Sequence, residues 1–385
     1  MKIDPYGHKE RYQKWKERSK ECIKDISKSS SDLILRYVTD MEHGLNVSAT
    51  SAKGSRSFIR LNTIREKMIF FATRFKEIYE IDNITKITEE EVVLFFSRMR
   101  KGEIRRLDGK AYVGVGDYVK GFKAFWHWYQ KVSKKGGIEI EDITNDLDST
   151  NPKPKWVYLD EKQVKKLCEV VKPEYRALLM FIFDSGIRSP TELVNVKVSD
   201  FFSNFKEVHI REEISKTFGR RIKLMLCSEL IKEYVAENKL QQDDYVFPIK
   251  PFTVNKYLKR VAKRVFGDVP SQAGQKYSDL TLYDFRHISC CYWLPRYKSE
   301  SALKYRFGWK KSEKIHYYSE LLGMKDTISE EDLLIDVTKT EIEKRLTMAE
   351  RDNMLLKEQV SNMQEQMQKI LGVVNGVYVQ VKDDC

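Results

Sequence analysis

The chain has 385 residues, of which 41% are apolar and 12% aromatic, which excludes a disordered chain and leaves room for two or three domains with cores of their own. Lys and Arg outnumber Asp and Glu by 69 to 57, and the net charge of +12 favours a polyanionic partner, nucleic acid before an anionic membrane surface. No run of about 18 apolar residues occurs, the N-terminus lacks the apolar segment of a signal peptide, and Cys22, Cys168, Cys227, Cys290, Cys291 and Cys385 form no CxxC pair. The chain therefore reads as soluble and cytoplasmic, with no disulfide framework, no zinc site and no membrane partner.

Residues 1–29 are highly charged, with Tyr12, Trp15, Ile23 and Ile26 interspersed. They read as a solvated basic arm, which either keeps the chain soluble or touches DNA. The stretch "DLILRYVTDMEHG" predicts an amphipathic helix closed by Gly44, and the Ser-rich loop after it carries Lys53, Arg56 and Arg60, spaced to lie along phosphates. Thr63 with Glu66, and Thr88 with Glu91, have the spacing of capping boxes that start two further helices. Another helix runs from about Asp117 to Val132, and its Phe, Trp and Tyr stripe belongs in the core of a small bundle rather than on a base-stacking platform. Residues 30–145 thus form one all-helical domain.

The prolines and lack of periodicity in "NDLDSTNPKPKW" mark residues 146–156 as a linker. Helices follow in "YLDEKQVKKLCEVV" and "PEYRALLMFIFDSG", the second ended by Gly186. The period then changes: "KEVHIRE" alternates Val208 with Ile210, "RIKLML" alternates Ile222, Leu224 and Leu226, and "SKTFGR" between them completes a hairpin. Helices resume at Thr253. Residues 157–325 are therefore a mostly helical α+β domain with a small antiparallel sheet.

Three stretches carry candidate chemistry. In "SGIRSPTEL", Ser189, Pro190 and Glu192 read as the N-cap, first-turn proline and capping-box acid of a helix. Arg188 then sits in a tight corner, where it either joins backbone N–H groups in holding an anion or bridges two helices. In "DLTLYDFRHISCCYWLP", Tyr283 and Arg286 share a helix face that Cys290 continues, while His287 points elsewhere. An arginine in so apolar a helix needs an anion or carboxylate partner, and a phosphate would supply one. Lys216 lies in the hairpin turn near Arg220, and turn lysines are usually solvated. In the third stretch Gly308 ends a helix, the cations Lys310 and Lys311 follow, and Ser312 starts another helix whose inward arc is set by Ile315, Leu321 and Leu322. At about 100° per residue, Tyr318 falls inside that arc and Tyr317 outside it.

Two arginines, a lysine and a tyrosine in this order resemble the tyrosine recombinase, or phage-type integrase, family over residues 30 to about 325. "GIRSPTEL" with Arg188 resembles the family's first arginine box, Lys216 its hairpin lysine, Tyr283 and Arg286 its HxxR box, Gly308 and Trp309 its GH or GW box, and Tyr318 the nucleophile. The departures are Glu192, which follows Arg188 by four residues where the family more often places an acid at three, and Tyr283 in place of His or Lys. The latter form is similar to the YxxR integrases of archaeal plasmids and viruses.

The resemblance implies a helical, SAM-like core-binding domain and a catalytic domain that close on double-stranded DNA, with subunits forming a tetramer on paired sites. Tyr318 would attack a phosphodiester to give a 3′-phosphotyrosine, Arg188 and Arg286 would clamp the non-bridging oxygens, and Lys216 would protonate the departing 5′-oxygen. Trp309 and Tyr283 would hydrogen-bond in the same shell, and no cofactor or metal ion would be needed. Lys53, Arg56, Arg60, Arg220, Lys310 and Lys311 are the further cations assigned to DNA. A type IB topoisomerase-like nicking-closing enzyme and a non-catalytic architectural DNA-binding protein are the alternatives on the same fold.

Outside the resemblance, residues 326–385 form a helical tail. Ile342, Leu346, Ala349, Asn353, Leu356, Val360, Met363, Met367, Ile370 and Val374 make a heptad seam, a coiled coil over 338–376, with Asn353 as its lone polar member. The tail either packs on its own catalytic domain or pairs two subunits, and the seam asparagine and the attractive flanking charges favour a dimer.

Overall fold

The computed structural model describes residues 2–48, 53–297 and 299–322, with scattered positions from 346 to 367. Five helices come first: α1 (His8–Arg18), α2 (Lys28–His43), α3 (Phe58–Tyr79), α4 (Glu89–Lys101) and α5 (Val115–Lys135). Thr88 and Glu91 close the expected capping box of α4, Thr88 N–H donating to Glu91 at 2.9 Å and Glu91 N–H to Thr88 at 3.3 Å. Gly44 ends α2 with a left-handed φ of 72°. The other capping box is not formed. Since α3 already starts at Phe58, Thr63 lies inside the helix and its hydroxyl donates back to Ile59 O at 3.0 Å.

The aromatic stripe of α5 is core: Phe122, Phe125, Trp126 and Trp128 are buried, Phe122 against Phe71, Phe75 and Phe96 of α3 and α4, and Phe125 and Trp128 against Tyr37 of α2. Burying one such side chain contributes about 1.5–3 kcal/mol, so this cluster dominates the stability of the first five helices. Residues 1–29 are not the solvated arm their charge suggested. Tyr12, Ile23 and Ile26 are buried in the same core, Tyr12 donates to Glu42 at 2.8 Å, and Ile3 exchanges hydrogen bonds of 2.7 and 3.0 Å with the Asn195 side chain.

The second half contains α6 (Glu161–Val170), α7 (Pro173–Ser185), a sheet of β1 (Phe201–Phe202), β2 (Glu207–Ile210) and β3 (Arg220–Lys223), and then α8 (Ser228–Glu237), α9 (Pro251–Phe266), α10 (Leu282–Trp293), α11 (Glu300–Phe307) and α12 (Glu313–Leu321). The hairpin forms as its alternation predicts, antiparallel, with Val208 opposite Ile222 and both buried. Strand β1 is added at its edge, and the helical period resumes at Ser228, before Thr253. No α-helix follows "SGIRSPTEL"; the chain makes a short 3-10 turn at Leu193–Asn195 instead.

Helix α10 packs along α7 and is tied at its start to the residue that follows the linker, because Asp284 accepts from Thr281 N–H at 2.7 Å and from Val157 N–H at 3.1 Å. Burial raises the Asp284 carboxyl above its usual range, against the pull of these hydrogen bonds. Residues Met1–Leu321 form one compact unit and Leu322–Cys385 a second. The heptad seam expected over 338–376 lies largely outside the described residues; those described between 346 and 367 are helical, with Leu346, Leu356, Val360 and Met363 exposed. Among the described residues no helix is long and apolar enough to cross a membrane.

Candidate active site

The site is built around two glycines. Gly186 ends α7 at φ 63°, and a Cβ there would meet Phe307 Cε1 at 2.3 Å, so only glycine lets the α7 terminus sit on that ring. Gly308 ends α11 at φ 59°, with Arg220 Nη1 3.0 Å from where its Cβ would be. The turn Phe307–Trp309 is thereby pressed against the corner that holds Arg188.

Both arginines of the corner point their forks at this turn. Arg188 donates from Nη2 to Gly308 O at 2.7 Å and to Thr217 Oγ1 at 3.3 Å, and from Nη1 to Glu192 Oε1 at 2.7 Å. Arg286 is buried, donates from Nη1 to Gly186 O and from Nη2 to Phe307 O, and lies over the Phe307 ring at 5.4 Å. Burial, then the Arg188 charge, pull the Arg286 guanidinium down to about 10, so it stays charged at neutral pH. Its protein partners are thus backbone carbonyls rather than a carboxylate, one of the two kinds of partner expected for an arginine in so apolar a helix.

Glu192 explains why the expected helix does not form. The carboxylate is fully buried and accepts from Arg188 N–H at 2.8 Å, which is cap-like, but it also holds Arg220 through bonds of 2.8 and 3.2 Å. Burial pushes this carboxyl up, but the hydrogen bonds and charge of Arg220, followed by Arg188 and Arg286, outweigh it and hold the group at about 2. Arg220 is therefore not a DNA-facing cation. It is 1% exposed, spent on Glu192 and on Arg306 O at 2.8 Å. Lys216 is exposed in the β2–β3 connection, next to Thr217, whose hydroxyl donates to Gly308 O at 2.9 Å.

A second group of side chains surrounds Tyr318. The residue faces inward and is 3% exposed, whereas Tyr317 is turned to the linker and donates to Pro154 O at 2.7 Å. The Tyr318 ring stacks on Trp309 at 5.9 Å and 9°, and Trp309 stacks on Phe307 at 4.9 Å, which connects the nucleophile candidate to the arginine corner. Burial, with a smaller effect of the Cys290 thiol, raises the Tyr318 phenol well above its usual value, while the Arg286 charge pulls it back. Tyr283 is half exposed and meets the edge of His287 at 5.0 Å, while Arg286, three residues on, is buried.

Two members of this group escaped the sequence reading. His287, expected to point elsewhere, has Nδ1 2.5 Å from the Tyr318 hydroxyl, and Trp156, assigned to the linker, is buried against both, at 4.9 Å from His287 and 6.1 Å from Tyr318. The i to i+4 spacing of Tyr283 and His287 was the available signal for the first; nothing local marked the second. Of the other cations, Lys53, Lys310 and Lys311 are exposed, and Arg56 and Arg60 border a cavity of about 260 Å³ with Lys120, Lys123 and His127.

No family model and no curated protein sequence matches the chain. Solved structures do. A lambda integrase dimer bound to a COC′ core site superposes with a TM-score of 0.56 at 13% identity, over 78% of this chain and 98% of that one. The Tn1549 transposon integrase in complex with circular intermediate DNA gives 0.54 at 10% identity, over 81% of this chain and 99% of that one. The chain has the fold of the tyrosine recombinases.

Proposed function

We propose that the chain is a tyrosine-type site-specific recombinase, an integrase that cuts and rejoins DNA through a 3′-phosphotyrosine and inserts or excises a mobile element of the archaeal YxxR kind. The observation that carries this reading is the convergence of Arg188 and Arg286 on the Phe307–Gly308 turn, which leads through Trp309 to the buried Tyr318. Two forked guanidiniums beside one tyrosine suit a phosphoryl centre whose equatorial oxygens gain charge in the transition state. The N–H groups not used on carbonyls are the ones assigned to the phosphate. Lys216, on the connection beside Thr217, is assigned the proton for the leaving 5′-oxygen, and Trp309 a contact to the phosphate.

The helical half, residues 30–145 with α1, is assigned to grip the duplex from the opposite side, and the cations at Arg56, Arg60, Lys120 and Lys123 to follow its backbone. A tetramer on paired sites, and tail helices that pair subunits, complete the reading. The two superposed integrases are both bound to DNA, which supports the same partner here.

The test uses 5′-labelled nicked duplexes that tile the DNA on either side of the protein's own gene, incubated with the full chain in chelator. A covalent adduct that carries the label and disappears in Tyr318→Phe is the expected result. Strand exchange between two such duplexes separates a recombinase from a topoisomerase-like enzyme, and binding with no adduct would leave an architectural protein.

A further inference from the structure

Tyr318 is a poor nucleophile as it stands. Its hydroxyl is buried, and burial disfavours the phenolate, so attack requires a group that takes the proton as the new bond forms. Tyr283 cannot be that group, since a phenol is a poor base at neutral pH and its ring meets His287 rather than Tyr318. His287 is in position. Its Nδ1 lies 2.5 Å from Tyr318 Oη, within the reach required of a general base. The ring is held in that orientation by Trp156 from one side, at 4.9 Å and 30°, and by the edge of Tyr283 on another, at 5.0 Å and 77°.

We propose that His287 is the general base that accepts the Tyr318 proton during cleavage, an assignment that rests on the recombinase reading above. With its own proton on Nε2, the neutral imidazole accepts the hydroxyl hydrogen at Nδ1. As that proton moves, Tyr318 Oη bonds to phosphorus, the bond from phosphorus to the 5′-oxygen breaks, and the departing oxygen takes a proton from Lys216. Rejoining reverses each step: the 5′-hydroxyl attacks, its proton returns to Lys216, and the imidazolium gives its proton back to Tyr318. Charge and protons balance without a further reactant. In this cycle the imidazolium forms only as the tyrosine loses its proton.

The pH dependence of single-turnover cleavage reads this proton directly. The Trp156, Tyr283 and Tyr318 rings pack on His287, and Cys290, Cys291 and Tyr317 are the titratable neighbours of Tyr318 itself. Burial raises both thiols, that of Cys291 to about 12, and raises both α12 phenols, so none of these four titrates between pH 5 and 8. Wild-type cleavage should therefore rise with pH as the imidazole becomes able to accept the proton, and then level off.

The experiment measures the rate of adduct formation by the full chain on the tiled duplex that wild type cleaves, from pH 5 to 8, with DNA affinity measured in parallel. His287→Asn keeps a hydrogen-bonding atom near the Nδ1 position but cannot carry the proton away. It is expected to cleave about 10²- to 10³-fold more slowly, with a flat pH profile and wild-type DNA affinity. Added imidazole should restore part of the rate in His287→Gly. A wild-type profile that is flat over this range overturns the proposal whatever the variants do. So does His287→Asn that cleaves within three-fold of wild type, and so does a faster variant, which would make the contact a restraint on Tyr318. Absence of any adduct from wild type removes the recombinase reading and the base assignment with it, whereas a wild-type adduct with an indifferent His287 removes only the second.

Discussion

Arg220 and Glu192 form a wholly buried ion pair, Nη2 to Oε2 2.8 Å, at the point where the β3 strand passes beneath the Arg188 corner. The same carboxylate holds Arg188, so one acid sets the position of a structural arginine and of a candidate phosphate-binding one. Breaking such a pair on one side leaves a buried charge without its partner, which costs about 3–5 kcal/mol.

Glu192→Gln should therefore lose about that much stability at pH 7, measured by urea unfolding. The pH dependence has a definite sign. The folded-state value of about 2 lies below the unfolded value near 4.3, so the stabilisation is complete above about pH 4.5 and is lost as the pH falls towards 2. The gap between wild type and variant should narrow over that window. A gap that stays constant down to pH 2 would mean that the carboxylate charge is not what holds the corner.

The two adjacent tyrosines separate cleanly by burial. Tyr318→Phe should abolish the covalent DNA adduct while leaving DNA affinity within a few-fold, because the hydroxyl reacts but makes few backbone contacts. Tyr317→Phe loses one hydrogen bond to Pro154 O at an exposed site, so cleavage should stay within about three-fold of wild type. An adduct that survives Tyr318→Phe and vanishes in Tyr317→Phe would reverse the assignment.

Arg286→Lys is the discriminating change at the corner. A lysine is one point charge and cannot span Gly186 O and Phe307 O while it also reaches a phosphate. Single-turnover cleavage should fall by about 10²- to 10³-fold with DNA affinity little changed, since the lost stabilisation belongs to the transition state. Near-wild-type cleavage by Arg286→Lys would show that only charge is needed at this position.

What could be read from sequence was what local periodicity and termination determine. The α5 stripe, the Thr88 and Glu91 box, the stops at Gly186 and Gly308 and the inward turn of Tyr318 each depend on residues within a few positions of one another. Most of the failures share one cause, which is that a local pattern was outbid by a distant partner. Glu192 has capping-box spacing, yet Arg220 from another element claims it. Thr63 has the same spacing inside a helix that already begins at Phe58. Tyr12, Ile23 and Ile26 look solvated among charges until α2 and α3 cover them. His287 was assigned a direction from its own helix alone, and it is α12 and the linker that give it a function-bearing neighbour. The two-residue strand β1 is too short for alternation to register.

The cations sort by burial, and salt dependence should show it. Each phosphate contact releases counterions, so removing one cation that meets the DNA backbone should lower the slope of log affinity against log salt by about 0.9 and weaken all sequences alike. Arg60→Gln and Lys123→Gln, at the cavity beside α5, are expected to behave this way, as is Lys310→Gln on the exposed turn after Gly308. Arg220→Gln should do the opposite. With its side chain buried on Glu192 it meets no phosphate and displaces no counterions, so the salt slope should remain at the wild-type value while the urea midpoint falls. Nitrocellulose filter binding on one duplex from 50 to 300 mM salt, with unfolding curves for each variant, tests both halves; an unchanged slope in all three surface variants would remove that face from the DNA contact.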